Sequence, residues 1–160
     1  MTYLGDAGEV SAEFHGRAGV AGLTFRDSGT HVRFVAPGSA TRGQFGLFEW
    51  NMQPRTGGAD PHFHRTFSES FFVTAGTVEF YDGTGWVPAG AGDFLYVPVG
   101  GVHGFRAPRD EPSSMLILFA PGAPREAYFR ELAAIRESGR TLTDDEWTAF
   151  LAEHDQYRAG

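Results

Sequence analysis

Two histidines and a glutamate stand close together near the middle of the chain, in the stretch HFHRTFSE that begins at His62. His62 and His64 are two residues apart, so in a β-strand both side chains project from the same face. Glu69 lies an odd number of residues from both, and a bend or bulge must therefore bring its side chain round to theirs. Imidazole nitrogens combined with a carboxylate suit divalent transition metals, and the stretch predicts part of a metal site.

A third histidine follows in the stretch GDFLYVPVGGVHGFRA at residues 92–107, where His103 must come from another strand to complete the site. We expect one divalent ion (Fe, Mn, Ni, Co, Cu or Zn) bound by His62, His64, Glu69 and His103. Four protein ligands leave a coordination position for water, dioxygen or a substrate oxygen, which distinguishes a catalytic site from a closed structural one. Gly76 ends the strand that carries Glu69, at a turn that favours a positive φ.

Short segments around these residues predict the strands that position them; several alternate in hydrophobicity, and residues 114–120 are a nearly continuous apolar run, typical of a buried strand. The predicted strands are residues 30–35, 44–52, 69–74, 77–81, 94–97 and 114–120. Residues 54–61 are rich in Gly and Pro and are expected to form a loop into the first ligand pair. Residues 1–29 are expected to form an N-terminal arm or a short edge strand.

The spacing of the hydrophobic residues changes from a strand pattern to a helical pattern after residue 121. Tyr128, Leu132 and Ile135 follow helical spacing within residues 124–138, and Gly139 marks the end of that helix. The stretch TDDE that begins at Thr143 is a capping box and predicts a second helix. We therefore expect an all-β fold, an antiparallel barrel of about eight strands with two C-terminal α-helices. A single domain over residues 1–160 would comprise the arm (1–29), the barrel (30–120) and the helices (124–157).

Composition excludes several classes of function. The chain has 160 residues, no cysteine and no lysine, because all 13 basic residues are arginine. Disulfides, thiolate ligands and lysine Schiff bases are therefore excluded. A net charge of −7 argues against a nucleic-acid partner or an anionic membrane. No stretch reaches the length of a membrane span, and the first 20 residues lack the apolar core of a secretory signal, so we expect a cytoplasmic protein.

The two histidine-bearing stretches resemble the paired motifs of the cupin superfamily, G-x5-H-x-H-x3,4-E-x6-G and G-x5-P-x-G-x2-H-x3-N. The matching residues are His62, His64, Glu69 and Gly76 in the first motif and Gly92, Pro98, Gly100 and His103 in the second. Thr56 stands in place of the opening glycine, and Ala107 replaces the closing asparagine. The resemblance implies a cupin β-barrel (a double-stranded β-helix, or jelly roll) and a homodimer that exchanges its N-terminal arms.

Three histidines and a glutamate also resemble the ligand set of quercetin dioxygenases, which implies metal-dependent cleavage of an aromatic or polyketide-like enol with O2. Glu69 would then be both ligand and proton acceptor. The aromatic residues proposed for the substrate pocket are Phe48, Trp50, Phe71, Tyr96 and Phe105. Two alternatives stay open: a cyclase or isomerase that uses the metal as a Lewis acid without O2, and a non-catalytic module that binds a small molecule.

Overall fold

The computed structural model describes residues 11–108 and 110–160. Within them the chain forms eleven β-strands and two α-helices. The strands are β1 (Gly22–Phe25), β2 (Thr30–Ala36), β3 (Gly46–Met52), β4 (Gly57–Phe63), β5 (Ser68–Ala75), β6 (Thr77–Tyr81), β7 (Trp86–Gly90), β8 (Phe94–Val97), β9 (His103–Arg106), β10 (Ser113–Ala120) and β11 (Tyr157–Arg158). The helices are α1 (Arg125–Glu137) and α2 (Asp144–Glu153).

The strands form two antiparallel sheets. The six-stranded sheet has the order β1-β2-β3-β10-β5-β8, and the five-stranded sheet has the order β11-β4-β9-β6-β7. The predicted all-β fold with two C-terminal helices is confirmed. The strand count exceeds the expected number of about eight, and two of the eleven strands, β1 and β11, are short strands at sheet edges.

Alternating burial along the central strands builds the core between the sheets. Buried and partly buried residues alternate strictly in β3 and β10, which are neighbours in the six-stranded sheet. Their inward side chains are Phe48, Trp50 and Met52 from β3 and Met115, Ile117 and Phe119 from β10. Full burial of one such side chain is worth about 1.5–3 kcal/mol, so this alternating burial is the main stabilising contribution of the two strands.

The loop predicted at residues 54–61 is wrong, because β4 already begins at Gly57. The pairing of β4 with β9 shifts register twice, between Gly57 and Ala59 and between Ala59 and His62. Gly58 lies against Phe105 so closely that an added Cβ would be 2.3 Å from that ring. Glycine is therefore required here by a close approach inside a strand, and its presence had favoured a loop.

The described part of the N-terminal segment contains one short edge strand, β1. Residues 1–10 lie outside the described residues, and β1 pairs with β2 of the same chain. The exchange of this segment between two chains stays a prediction. Gly76 adopts a positive φ of 66° at the end of β5, as expected for that turn.

Both helices lie close to their predicted positions, and α1 packs directly on the barrel core. The ring of Phe129 lies 5.1 Å from that of Trp50 and 5.3 Å from that of Phe48. Helix α2 begins with the predicted capping box between Thr143 and Glu146. None of the helices in the described residues is long and apolar enough to span a membrane.

Candidate metal centre

The four predicted ligands converge between the two sheets. His62 in β4 pairs in register with His103 in β9, and His64 follows immediately after β4. Glu69 reaches the same point from β5 in the opposite sheet. One ligand atom from each of the four residues lies within 4.8 Å of the others, and all four side chains are buried. The described residues thus contain a cluster that could hold a metal ion.

The bend that brings Glu69 to the histidines lies at Arg65 and Thr66, as the spacing required. The Asp155 carboxylate accepts hydrogen bonds from the backbone N–H of Arg65 at 3.0 Å and of Thr66 at 2.8 Å. It also accepts one from the Thr66 hydroxyl at 2.6 Å. These hydrogen bonds hold the pKa of Asp155 below its ordinary value, although partial burial acts in the opposite direction. A residue from the C-terminus therefore fixes the turn between two ligand strands.

Backbone carbonyls fix the tautomer of every histidine in the cluster. The Nδ1 atoms of His62, His64 and His103 lie 2.7, 2.6 and 3.0 Å from the carbonyl oxygens of Asp60, Asp155 and Gly101. A carbonyl oxygen can only accept, so each Nδ1 carries the hydrogen. In the neutral tautomer each Nε2 therefore carries a lone pair, the arrangement seen in metal-binding histidines.

The contacts around Glu69 require a positive charge. Glu69 Oε2 lies 3.0 Å from His64 Nε2 and 2.8 Å from His103 Nε2. With Nδ1 protonated, a neutral imidazole and a carboxylate would face each other as two acceptors, so each contact needs a proton or a metal ion. The donor set of three nitrogens and one carboxylate oxygen fits a divalent transition metal.

The pKa values of the cluster reflect burial and close opposite charges. Burial opposes ionisation of Glu69, yet His103 and His64 hold the pKa of that carboxyl well below its usual range. Burial also opposes protonation of His103, but Glu69 raises its pKa above the ordinary value. Burial, followed by the proximity of His103, lowers the pKa of His62 to about 3. His62 is therefore neutral and available as a ligand throughout the physiological pH range.

A narrow cavity of about 40 Å³ adjoins the cluster, with His62 and Glu69 in its wall. Most of its lining is apolar, and α1 contributes one side. Among the predicted pocket residues, Trp50 and Phe105 line this cavity. Phe48 and Phe71 are fully buried and pack against other aromatic rings of the core.

The prediction that Tyr96 lines the pocket is wrong. It is 59% exposed and is paired with Ser70 across β8 and β5. Side chains alternate along a strand, so the inward direction of Glu69 and Phe71 places Ser70 and its partner on the outer face. Tyr96 therefore lies on the outside of the six-stranded sheet, away from the cavity.

Comparisons with known proteins agree with this geometry. Residues 48–119 match the family described as Cupin domain, and these residues carry all four ligand positions. This part of the chain is a cupin domain. No curated protein matches the sequence.

Several solved cupin-like structures share the fold. The polyketide cyclase RemF from Streptomyces resistomycificus has 22% identity and a TM-score of 0.57, covering 69% of this chain and 80% of its own. KdgF from a Halomonas species has 17% identity and a TM-score of 0.58, covering 69% of this chain and 94% of its own. A cupin-superfamily sugar phosphate isomerase from Silicibacter pomeroyi has 25% identity and a TM-score of 0.51, covering 60% and 61%.

Three residues around this cupin centre were missed by sequence reasoning. Asp155, Arg125 and Gln156 all lie C-terminal to the matched family region, and the last two line the cavity. One signal was available, because Arg125 opens α1 where a helix disfavours a positive charge. A cation in that position indicates a role other than helix stabilisation.

Proposed function

We propose that this chain is a divalent-metal-dependent enzyme that acts on a small enol or enolisable carbonyl compound. The observation that carries the proposal is the buried cluster of three histidines and Glu69, of which His62 and Glu69 line a small apolar cavity. A bound divalent metal would polarise the substrate oxygen as a Lewis acid. His62, His64, His103 and Glu69 are the residues that would hold it.

Glu69 is the residue best suited to move a proton. Its Oε2 contacts two histidines, whereas no described residue hydrogen-bonds to its Oε1. Apolar walls formed by residues such as Trp50 and Phe105 strengthen electrostatic interactions within the cavity. Glu69 could therefore accept a proton from a carbon next to the polarised carbonyl and return it to a neighbouring atom.

The size of the cavity favours isomerisation or cyclisation of a small substrate. Its volume of about 40 Å³ is far below the range of roughly 300–1,000 Å³ for pockets that enclose drug-sized ligands. A flavonol with three rings would exceed this volume and would have to extend into the neighbouring pocket of about 330 Å³, which His62 also lines. The 25% identity to a sugar phosphate isomerase supports the same general class of chemistry, proton transfer next to a carbonyl.

A quercetin dioxygenase-like reaction is the second candidate. It is supported by the ligand set, which leaves coordination positions open, and by the aromatic side chains in the cavity wall. Substrate would bind through an enol oxygen, and Glu69 would accept its proton. The two reactions differ in one measurable property, the consumption of O2.

The test begins with protein purified without chelators and analysed for bound metal. Hydroxyacetone in D2O is followed by NMR for exchange of its carbon-bound hydrogens, and quercetin is followed with an oxygen electrode. We expect metal-dependent exchange without oxygen uptake. Glu69→Gln should retain metal and reduce exchange by roughly 100-fold or more, the scale of general-base loss.

Metal-dependent oxygen uptake with quercetin would instead establish the dioxygenase. Bound metal with neither reaction across a panel of small carbonyl compounds and flavonols would favour the non-catalytic binding module. Protein that binds no divalent metal after reconstitution would overturn the proposal itself.

A further inference from the structure

Arg125 is a buried cation in an aromatic environment. Its side chain is 4% exposed at the start of α1. The guanidinium carbon lies 4.0 Å from the ring centre of Tyr128 and 5.3 Å from that of Phe119. Aromatic faces attract a guanidinium, but they do not neutralise its charge.

The hydrogen bonds of Arg125 are incomplete. Its Nη1 donates to the backbone carbonyl of His154 at 2.9 Å, and its Nη2 donates to Gln156 Oε1 at 3.0 Å. The Nε atom is buried and has no partner. Among the described residues, no carboxylate forms an ion pair with Arg125 within 4.0 Å. Burial lowers the pKa of Arg125 from its ordinary value, although Tyr128 and the more distant carboxylates of Glu69 and Asp155 act in the opposite direction.

A buried charge without a counter-ion and a buried donor without an acceptor both cost free energy. A role limited to anchoring the C-terminal segment would account for the two Nη hydrogen bonds. It would not account for the free Nε–H or for the missing carboxylate. Both are accounted for if an anion completes the site.

The position of Arg125 indicates where that anion would lie. Arg125 and Gln156 line the same cavity as His62 and Glu69. We propose that Arg125 binds a carboxylate group of the substrate, while a second oxygen of the same molecule faces the metal cluster. The second contact rests on the proposed function, whereas the first depends on Arg125 alone.

This assignment narrows the substrate class to small oxo- or hydroxycarboxylates. The planar guanidinium matches the geometry of a carboxylate, and the apolar walls leave little room beyond a few carbon atoms. With three neutral histidines, one glutamate, a divalent ion and Arg125, the site would carry a net positive charge. An anionic substrate would bind better than a neutral one of the same size.

The test measures the binding of acetate and of its neutral isostere acetamide by isothermal titration calorimetry. Both are titrated into zinc-loaded and metal-free protein. The variants are Arg125→Gln, which removes the charge, and Gln156→Glu, which places a carboxylate beside the unchanged guanidinium. Arg130→Gln is the matched control, since Arg130 is an exposed arginine on the same helix. Circular dichroism and the melting temperature establish that each variant is folded.

We expect acetate to bind the wild-type protein at least tenfold more tightly than either cavity variant, in both metal states. Acetamide should bind all proteins equally weakly, and Arg130→Gln should match the wild type. If Arg125→Gln fails to fold, Gln156→Glu decides the outcome, because it keeps the guanidinium in place.

Acetate binding that is unchanged in the folded cavity variants would overturn the inference and leave the metal-dependent function intact. An equal loss of acetate and acetamide binding would also overturn it, since that pattern indicates a structural role for Arg125. Conversely, Arg125-dependent acetate binding in a protein that takes up no metal would support the anion site and overturn the proposed function.

Discussion

The ligand strands and the C-terminal segment at residues 154–158 build the same centre in different ways. The strands contribute the metal-binding side chains, whose positions follow from spacing and from the register of His62 with His103. The C-terminal segment contributes Asp155, whose carbonyl accepts from His64 Nδ1 across 91 residues of sequence. It also contributes Gln156, which holds Arg125.

The difference shows that one part of the chain supplies the metal ligands and another part sets their orientation. Ligand identity is encoded locally, in a motif that a single sequence reveals. The orientation of those ligands and the charge of the cavity depend on residues far away in the chain. We expect changes in the strands to abolish metal binding, and changes in the C-terminal segment to weaken it by a graded amount.

The largest effect should follow removal of a ligand. His103→Ala deletes an Nε2 donor at the centre of the cluster, 2.8 Å from Glu69 Oε2. Metal affinity should fall by more than the roughly 100-fold that outer-sphere partners contribute. Zinc titration calorimetry measures the change, and His31→Ala is the control because His31 is exposed and contacts Thr24 instead. Equal zinc affinities in His103→Ala and His31→Ala would show that the four residues do not form a metal site.

Loss of the Asp155 carboxylate should have a smaller effect on metal binding. Asp155→Gly removes the group that fixes the bend at Arg65 and Thr66, and glycine tolerates the φ of 52° at this position. We expect zinc affinity to fall about 10- to 100-fold, the range for outer-sphere residues. Asp155→Asn keeps an acceptor oxygen and should lie between this variant and the wild type. Unchanged affinity in Asp155→Gly would show that the bend holds without the C-terminal segment.

The stability of metal-free protein should depend on pH through His62. Its pKa is lowered from 6.5 to about 3 in the folded state, so below pH 6.5 the unfolded chain binds a proton that the folded chain does not. As the pH is lowered from about 5.5 to 4.5, the free energy of unfolding should then fall by about 1.4 kcal/mol.

Urea denaturation across that range measures the slope. His103 does not cancel it at these pH values, because His103 is protonated in the folded state, where its pKa is raised, and also in the unfolded state, where its pKa is the ordinary one. His62→Gln should reduce the slope by the contribution of one proton. An identical slope in the variant would show that His62 is not the group responsible.

The smallest effect should follow loss of the α2 capping box, which tests whether the stability of this helix affects metal binding. Thr143→Ala removes the side chain that accepts from the Glu146 N–H in the capping box of α2. The free energy of unfolding should fall by about 1 kcal/mol. Zinc affinity should stay unchanged, because α2 contributes none of the four ligands. A drop in zinc affinity would extend the C-terminal contribution to the whole of α2.

Local patterns account for most of what the sequence predicted. The ligand set, the alternating strands and the α2 capping box each depend on residues a few positions apart. The start of β4 was not predicted because Gly58 permits a close approach to Phe105, a contact that depends on a partner strand far along the chain. The prediction for Tyr96 is wrong because the face on which its side chain lies depends on the register of β8 with β5, which the sequence does not show. Asp155 and Arg125 act through contacts that no local pattern encodes.

The position of Glu69 opposite the histidines has a consequence for unfolding kinetics. A bound ion would join the two sheets, since three ligands lie on one side of the barrel and the fourth on the other. The four ligand atoms meet only after both sheets have formed, so ion binding would stabilise the native state more than the folding transition state. Bound metal should therefore slow unfolding while refolding proceeds at nearly the same rate. The ion would then set the lifetime of the folded chain, and chelation would shorten it.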